Sequence, residues 1–252
     1  MRRVRAVGRV ARLLFSCLGL YLLWAVGHLM LVLAPQPRER WRRWIVRTWG
    51  RAVCSSLAVH VTVGGEPPPP GSFVVCNHLS YLDIPVIASR YDTSFVSKSE
   101  VGDWFFIGSL ARVGGTIFVE RARKRQLHAV NDSIERALGT GIGVVVFPEG
   151  TSTRGAEILP FRTSLLDHAA EAQLAVRGMC LSYATEAGDP PASLKVCWWG
   201  GMSLLPHVLE LLQLRRISAH LEFVPGSVRD SDRKRLAEKL FAAVNARFRP
   251  VP

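Results

Sequence analysis

Residues 13–34, LLFSCLGLYLLWAVGHLMLVLA, carry no formal charge beyond any proton held by His28, and no other feature constrains the chain as strongly. About 20 apolar residues are enough to cross the hydrocarbon core of a bilayer. A cleavable secretory leader needs a shorter apolar region and a small-residue cleavage site. This run instead continues to Pro35 and meets arginines at once. The segment reads as a membrane helix. Arginines bracket it on both sides, with Arg2, Arg3, Arg5, Arg9 and Arg12 before it and Arg38, Arg40, Arg42, Arg43, Arg47 and Arg51 after it. Charge asymmetry therefore does not orient it, and a spanning helix and a re-entrant one both satisfy the pattern. His28 within the run either marks a functional site or pairs with a nearby backbone carbonyl.

The following stretch places Trp41, Trp44, Ile45, Trp49 and Val53 at mostly helical spacing with arginines between them. Such a helix lies in the membrane interface or docks its tryptophans on a protein core. The net charge of +12 points to a polyanionic surface. Because much of the arginine flanks the apolar run, the anionic face of a bilayer is favoured over nucleic acid, for which no recognised motif is present. The expected location is the inner (cytoplasmic) membrane with the globular part facing the cytosol. Five cysteines at irregular spacing, without a CxxC pair or a histidine at zinc-ligand distance, suit a reduced, cytosol-facing core and no metal site.

A chain of 252 residues accommodates one well-filled domain and a short accessory segment. The proline run 67–70, flanked by glycines, reads as a stiff connector. This divides the chain into an N-terminal unit of membrane helix and basic interfacial helix (1–66), a connector (67–71) and a globular domain (72–252). Within that domain, β-branched or aromatic segments at 73–76, 93–96, 116–119, 144–147, 179–183, 194–198 and 220–224 are candidate strands. Helical patterns alternate with them, the clearest from about 124 to 138 and another beginning near Ser231 as its cap. The fold class expected is α/β, a mixed, largely parallel sheet flanked by helices and preceded by a helical membrane-anchoring segment.

Three groups of residues carry chemistry. In Asn77-His78-Leu79-Ser80-Tyr81-Leu82-Asp83, at the end of the first candidate strand, an imidazole and a carboxylate lie within a turn and a half. Imidazole takes a hydroxyl proton near neutral pH, and a carboxylate on its other nitrogen fixes the tautomer and stabilises the imidazolium. Taken alone, the spacing also fits a capping aspartate beside a hydrogen-bonded histidine. In Gly115-Thr116-Ile117-Phe118-Val119-Glu120-Arg121 a strand ends in a guanidinium, whose planar fork suits phosphate and equally suits a surface ion pair. In Phe147-Pro148-Glu149-Gly150-Thr151-Ser152-Thr153-Arg154-Gly155 an apolar strand leads into a turn of glycine, hydroxyl and charge, the composition of loops that bind oxygen-rich ligands. The glycines at 139, 141 and 143 precede a strand, so they read as a helix stop rather than a nucleotide loop.

These groups, with Phe95-Val96-Ser97-Lys98-Ser99-Glu100 between the first two, resemble the glycerolipid acyltransferase family typified by the 1-acylglycerol-3-phosphate acyltransferases. The resemblance covers roughly residues 73–166 and rests on four separate blocks. It implies that His78 is the general base and Asp83 its orienting partner. The acceptor hydroxyl would attack the thioester of acyl-CoA or acyl carrier protein. Arg121 would bind the acceptor phosphate, Glu149, Gly150 and Thr151 would shape the acceptor pocket, and Arg154 would bind substrate in place of the arginine that the family commonly has at position 152. It further implies no metal, no cofactor and no obligatory acyl-enzyme. Membrane lipids and a lysolipid acceptor are the expected partners, with 1-acylglycerol-3-phosphate placed first.

The chain departs from the family pattern in places. Glu120 stands where aspartate is usual, Ser152 where an arginine is common, and the later Val-Pro block has only Cys180-Leu181-Ser182-Tyr183 as a counterpart. Cys197-Trp198-Trp199-Gly200-Gly201-Met202 is similar to a branch that includes lyso-ornithine lipid acyltransferases, which opens the acceptor to a second lysolipid. An alternative of another class is a catalytically silent membrane-binding protein, against which the intact His78, Asp83, Arg121 and Glu149 argue.

Overall fold

The computed structural model describes residues 2–119 and 127–252. In chain order the helices α1 (Arg2–Met30) and α2 (Pro35–Ser56) precede strand β1 (Val59–Gly64) and strand β2 (Phe73–Cys76). Next come α3 (Asp83–Ala88), β3 (Thr93–Lys98), α4 (Ser99–Gly102), α5 (Phe105–Val113), β4 (Ile117–Val119), α6 (Leu127–Gly139) and β5 (Gly143–Val146). A 3-10 turn (Thr163–Leu165) and α7 (Asp167–Glu171) lead to β6 (Val176–Thr185), α8 (Ala192–Lys195), α9 (Leu204–Leu211), β7 (Ile217–Val228) and α10 (Arg233–Asn245).

Among the described residues these strands form one seven-stranded sheet in the order β1-β7-β6-β2-β5-β3-β4. Neighbours run parallel except β6 and β7, so the sheet is mixed and largely parallel. The central strands are apolar throughout because both faces of the sheet are covered. In β2, Val74 and Cys76 enter the core beneath α2 and α3, while Phe73 and Val75 enter the opposite core with α6 and α10. This is the two-residue period of a strand read out on two cores.

Most candidate strands fall on observed ones, and two differences have physical causes. Strand β1, absent from the sequence-based set, pairs in parallel with β7 at the edge of the sheet. The proline connector thus joins two strands of one sheet, and residues 59–64 belong to the globular domain rather than to the N-terminal unit. Residues 194–198, read as a strand, form the end of α8 and a loop, because the Val196 and Cys197 amides turn back to the Ala192 carbonyl. The last helix is capped by Asp232 and not Ser231, its carboxylate accepting from the Lys234 and Arg235 amides.

Helices α1 and α2 form a hairpin laid along the domain. Ile45, Val53 and Cys54 of α2 are buried and Trp49 packs against the core, while Trp44 is half exposed and stacks on Trp41. Docking on the core and exposure are thus divided between the tryptophans. Gly50 permits the closest approach, since a Cβ there would stand 2.7 Å from the Ser89 amide nitrogen and 2.8 Å from the Pro85 carbonyl. Helix α2 is thereby set directly on α3, whose first residue is Asp83.

Candidate active site

In a parallel sheet the residues that follow adjacent strands share one edge, where open α/β sheets bind their ligands. Strands β2 and β5 are neighbours with Val75 opposite Val146, so the turns after them bring His78 and Glu149 together. Asn77, the first residue past β2, continues the pairing with β6 through its side chain. Its amide donates to the Leu181 carbonyl at 3.0 Å and its oxygen accepts from the Leu181 amide at 2.7 Å.

This anchoring delivers His78 to Asp83. The His78 Nδ1 and Asp83 Oδ2 atoms are 2.7 Å apart, and the same oxygen accepts from the Leu79 and Ser80 amides at 2.8 and 3.1 Å. The other oxygen accepts from the Tyr183 hydroxyl at 2.8 Å. Asp83 has 0% side-chain exposure, and four donors offset the cost of burying its charge. With the carboxylate at Nδ1, the neutral ring carries its proton there and Nε2 keeps a lone pair. His78 retains 24% exposure, so the ring is open to a substrate while its partner is not. Phe147 stacks on the imidazole with centroids 4.3 Å apart, and Phe95 stacks on Phe147, which holds the plane of the ring.

Glu149 is 2% exposed and both its oxygens are occupied by backbone donors, Oε1 by the His78 amide at 2.7 Å and Oε2 by the Leu159 amide at 2.8 Å. It braces the turn that carries His78. Burial pushes its carboxyl up to about 7, against the pull of those two amides and of His78 and with a smaller push from Asp83. Gly150 has φ +71°, and a Cβ there would come within 2.9 Å of the Arg162 side chain, whose Nε donates to the Glu149 carbonyl. Thr151 and Arg154 are exposed on the same turn, and the Thr153 amide closes onto the His78 carbonyl at 3.0 Å. Arg121 and Glu120 lie outside the described residues.

Sequence reasoning gave no role to Asn77, Tyr81 or Tyr183. Tyr183 was visible only as an aromatic residue in the weak counterpart of a missing block, and burial together with Asp83 raises its hydroxyl far above the usual tyrosine range. The thiols of Cys54, Cys76, Cys180 and Cys197 are also pushed up by burial, which makes them poor nucleophiles. Among the described residues no three His, Cys, Asp or Glu side chains gather where a metal would be held.

The Acyltransferase family model matches residues 60–182, the span that contains His78, Asp83 and Glu149. The lyso-ornithine lipid O-acyltransferase of Rhizobium meliloti (strain 1021) is 36% identical over 220 residues, covering 82% of this chain and 74% of that protein. The chain belongs to the acyltransferase family. Another lyso-ornithine lipid O-acyltransferase, from Pseudomonas aeruginosa, is 34% identical to this acyltransferase over 82% of the chain and 78% of its own length. The 1-acyl-sn-glycerol-3-phosphate acyltransferase of Neisseria meningitidis serogroup B is 28% identical over 84% and 82%. The crystal structure of PlsC, the 1-acyl-sn-glycerophosphate acyltransferase of Thermotoga maritima, superposes with a TM-score of 0.63 at 19% identity, covering 96% of this chain and 95% of that one. It establishes the shared fold.

Proposed function

We propose that this acyltransferase moves a fatty acyl group from the thioester of acyl-CoA or acyl carrier protein to the free hydroxyl of a lysolipid, with His78 as general base. The observation that carries the reading is the 2.7 Å contact between His78 Nδ1 and the fully buried Asp83, which leaves Nε2 as the acceptor of the hydroxyl proton. As Nε2 takes that proton, the acceptor oxygen attacks the thioester carbonyl carbon. Collapse of the tetrahedral intermediate breaks the C–S bond, and the imidazolium returns the proton to the leaving thiolate. Asp83 stabilises the imidazolium through the intermediate. The chemistry asks for no metal or cofactor, because the base is an imidazole and the electrophile is already activated. Arg121, Thr151 and Arg154 are assigned to the acceptor side, while Glu149 and Gly150 act by shaping the turn. Replacing His78 with alanine is expected to abolish acyl transfer while membrane binding persists; turnover in that variant would sink the reading.

Two lysolipids compete as acceptor. The identities of 36% and 34% to lyso-ornithine lipid O-acyltransferases, against 28% to a 1-acyl-sn-glycerol-3-phosphate acyltransferase, favour a lyso-ornithine lipid. Purified protein given one acyl donor and each acceptor in turn decides between them.

We also propose that α1 rests in the membrane surface. The segment Val4–Met30 is long and apolar enough to cross a bilayer. Yet near its start Arg9, 9% exposed, donates to the Leu212, Leu214 and Arg215 carbonyls just past α9, and Arg5 donates to that of Gln213. Near its end Gly27 abuts Trp41 of α2, whose neighbour Arg42 donates to the Gly114 carbonyl at 2.6 Å. A helix tied to the domain at both ends lies along it, with Leu14, Phe15, Leu18, Leu22, Val26 and Leu29 exposed as one apolar stripe for the bilayer. The catalytic domain is assigned to the cytosolic face of the membrane, where acyl-CoA and acyl carrier protein are supplied and where its five cysteines stay free.

A further inference from the structure

The turn at residues 197–202 is fastened to the base more firmly than a surface loop requires. The Trp198 amide donates to the Leu79 carbonyl at 2.8 Å, and the Trp198 carbonyl accepts from the Ser152 hydroxyl. Because the Thr153 amide donates to the His78 carbonyl, residues 78–79, 152–153 and 198 close a ring of hydrogen bonds through the backbone that carries the base. A second set of contacts holds the turn from behind. His207 is 4% exposed, and burial lowers its basicity, so the neutral ring donates from Nε2 to the Cys197 carbonyl at 3.1 Å and accepts the Tyr81 hydroxyl at Nδ1, 3.0 Å away. Tyr81 meets Trp198 edge-on at 6.2 Å. The mechanism uses none of these groups.

The Trp198 indole is only partly buried. Its Nε1 donates to the Met202 carbonyl at 2.9 Å, so the ring offers a ligand an apolar surface and no donor. The Ser152 hydroxyl, committed to Trp198, offers no donor either. The imidazole itself is stacked on Phe147, so aromatic rings border the base.

We propose that Trp198 is the acceptor-contacting wall beside the base, that Ser152 and His207 are positioning residues acting through it, and that this wall selects an acceptor whose reacting hydroxyl is carried on a hydrocarbon chain rather than beside a phosphate. The inference rests on the proposed lysolipid acyl transfer and deepens it. An indole with no available donor gains from covering methylene groups and loses from desolvating a phosphate dianion.

The test uses the full-length protein in detergent–lipid micelles with one acyl-CoA and two acceptors, lysophosphatidate and an N-(3-hydroxyacyl)ornithine lipid. Trp198→Ala is expected to raise the KM for the hydroxyacyl acceptor roughly tenfold and leave the donor KM unchanged. Its preference for that acceptor over lysophosphatidate should fall by a similar factor. Trp198→Phe should retain most of the preference, and Ser152→Ala should lose roughly fivefold, the worth of one hydrogen bond. Unchanged acceptor KM in Trp198→Ala, a fall in kcat equal for both acceptors, or a raised donor KM would each overturn the proposal. If Trp198→Ala does not fold, an unaltered preference in Ser152→Ala overturns it in the same way. Wild-type protein that acylates neither lipid would instead refute the underlying function, an outcome visible before any variant is made.

Discussion

Asp83 gathers four donors from two parts of the chain, three from residues 78–80 and one from Tyr183, 100 residues away. Removing only that hydroxyl, in Tyr183→Phe, leaves a buried carboxylate oxygen without its donor. A stability loss of about 2 kcal/mol is expected, with a roughly tenfold lower kcat as the His78–Asp83 pair loosens. Urea unfolding and steady-state assays check both, and a variant matching wild type in each would remove Tyr183 from the machinery. Glu149 gives a pH-dependent prediction. Its carboxyl, raised from 4.5 to about 7 by burial, binds a proton more tightly in the folded chain than in the unfolded one. That contribution is complete below the unfolded value and disappears as pH rises through about 7. Relative to Glu149→Gln, which cannot titrate, wild type should therefore lose roughly 2 kcal/mol of stability between pH 5 and pH 8. Parallel stability profiles for the two proteins would contradict the assignment. The His78–Asp83 contact was legible because it is local in sequence. The roles of Tyr183 and Asn77 were not, since both depend on β6 lying beside β2, which no local pattern encodes.

At the level of elements, the sequence reported burial more faithfully than it reported conformation. Strands β2, β5 and β6 stand out as β-branched or apolar segments because they are covered on both faces. Residues 194–198 look similar because Val196 and Cys197 are fully buried, yet their amides bond locally and no strand forms. Strand β1 has the opposite problem. Its alternating exposure marks an edge strand, but it follows directly on a helix that reads as part of the membrane unit. The close packing of α2 on α3 through Gly50 was likewise invisible, because a glycine within a helix declares nothing about its neighbour. Gly50→Ala is expected to push α2 away from the Ser89 and Pro85 backbone and to cost about 2 kcal/mol. Since α3 begins at Asp83, kcat should fall with it. An unchanged urea midpoint would mean that the two helices separate without strain.

Across the whole molecule, the arginines that bracket the apolar run do not all face lipid. Arg5 and Arg9 donate to backbone carbonyls of residues 212–215 and Arg12 to that of Ser55 in α2, so part of the basic charge at the N-terminus serves to clamp α1 to the domain and to α2. Membrane affinity must then come largely from the exposed apolar stripe of α1, helped by the arginines of α2 that remain exposed, such as Arg40 and Arg51. Phe15, Leu18 and Leu22, at 81%, 61% and 57% exposure, make no use of the protein core. Burying three such side chains in the lipid interface contributes about 4 kcal/mol in sum, which corresponds to roughly a thousandfold in partitioning. Replacing all three with glutamine should therefore release the protein from vesicles of mixed phosphatidylglycerol and phosphatidylcholine while leaving its urea midpoint near that of wild type. Because the stripe points away from the domain, turnover of acceptor presented in detergent micelles should persist while turnover of acceptor embedded in vesicles falls. If the triple variant still sediments with vesicles, the bilayer is held by some other surface. If it unfolds instead, the stripe packs against protein and α1 does not face lipid along that side.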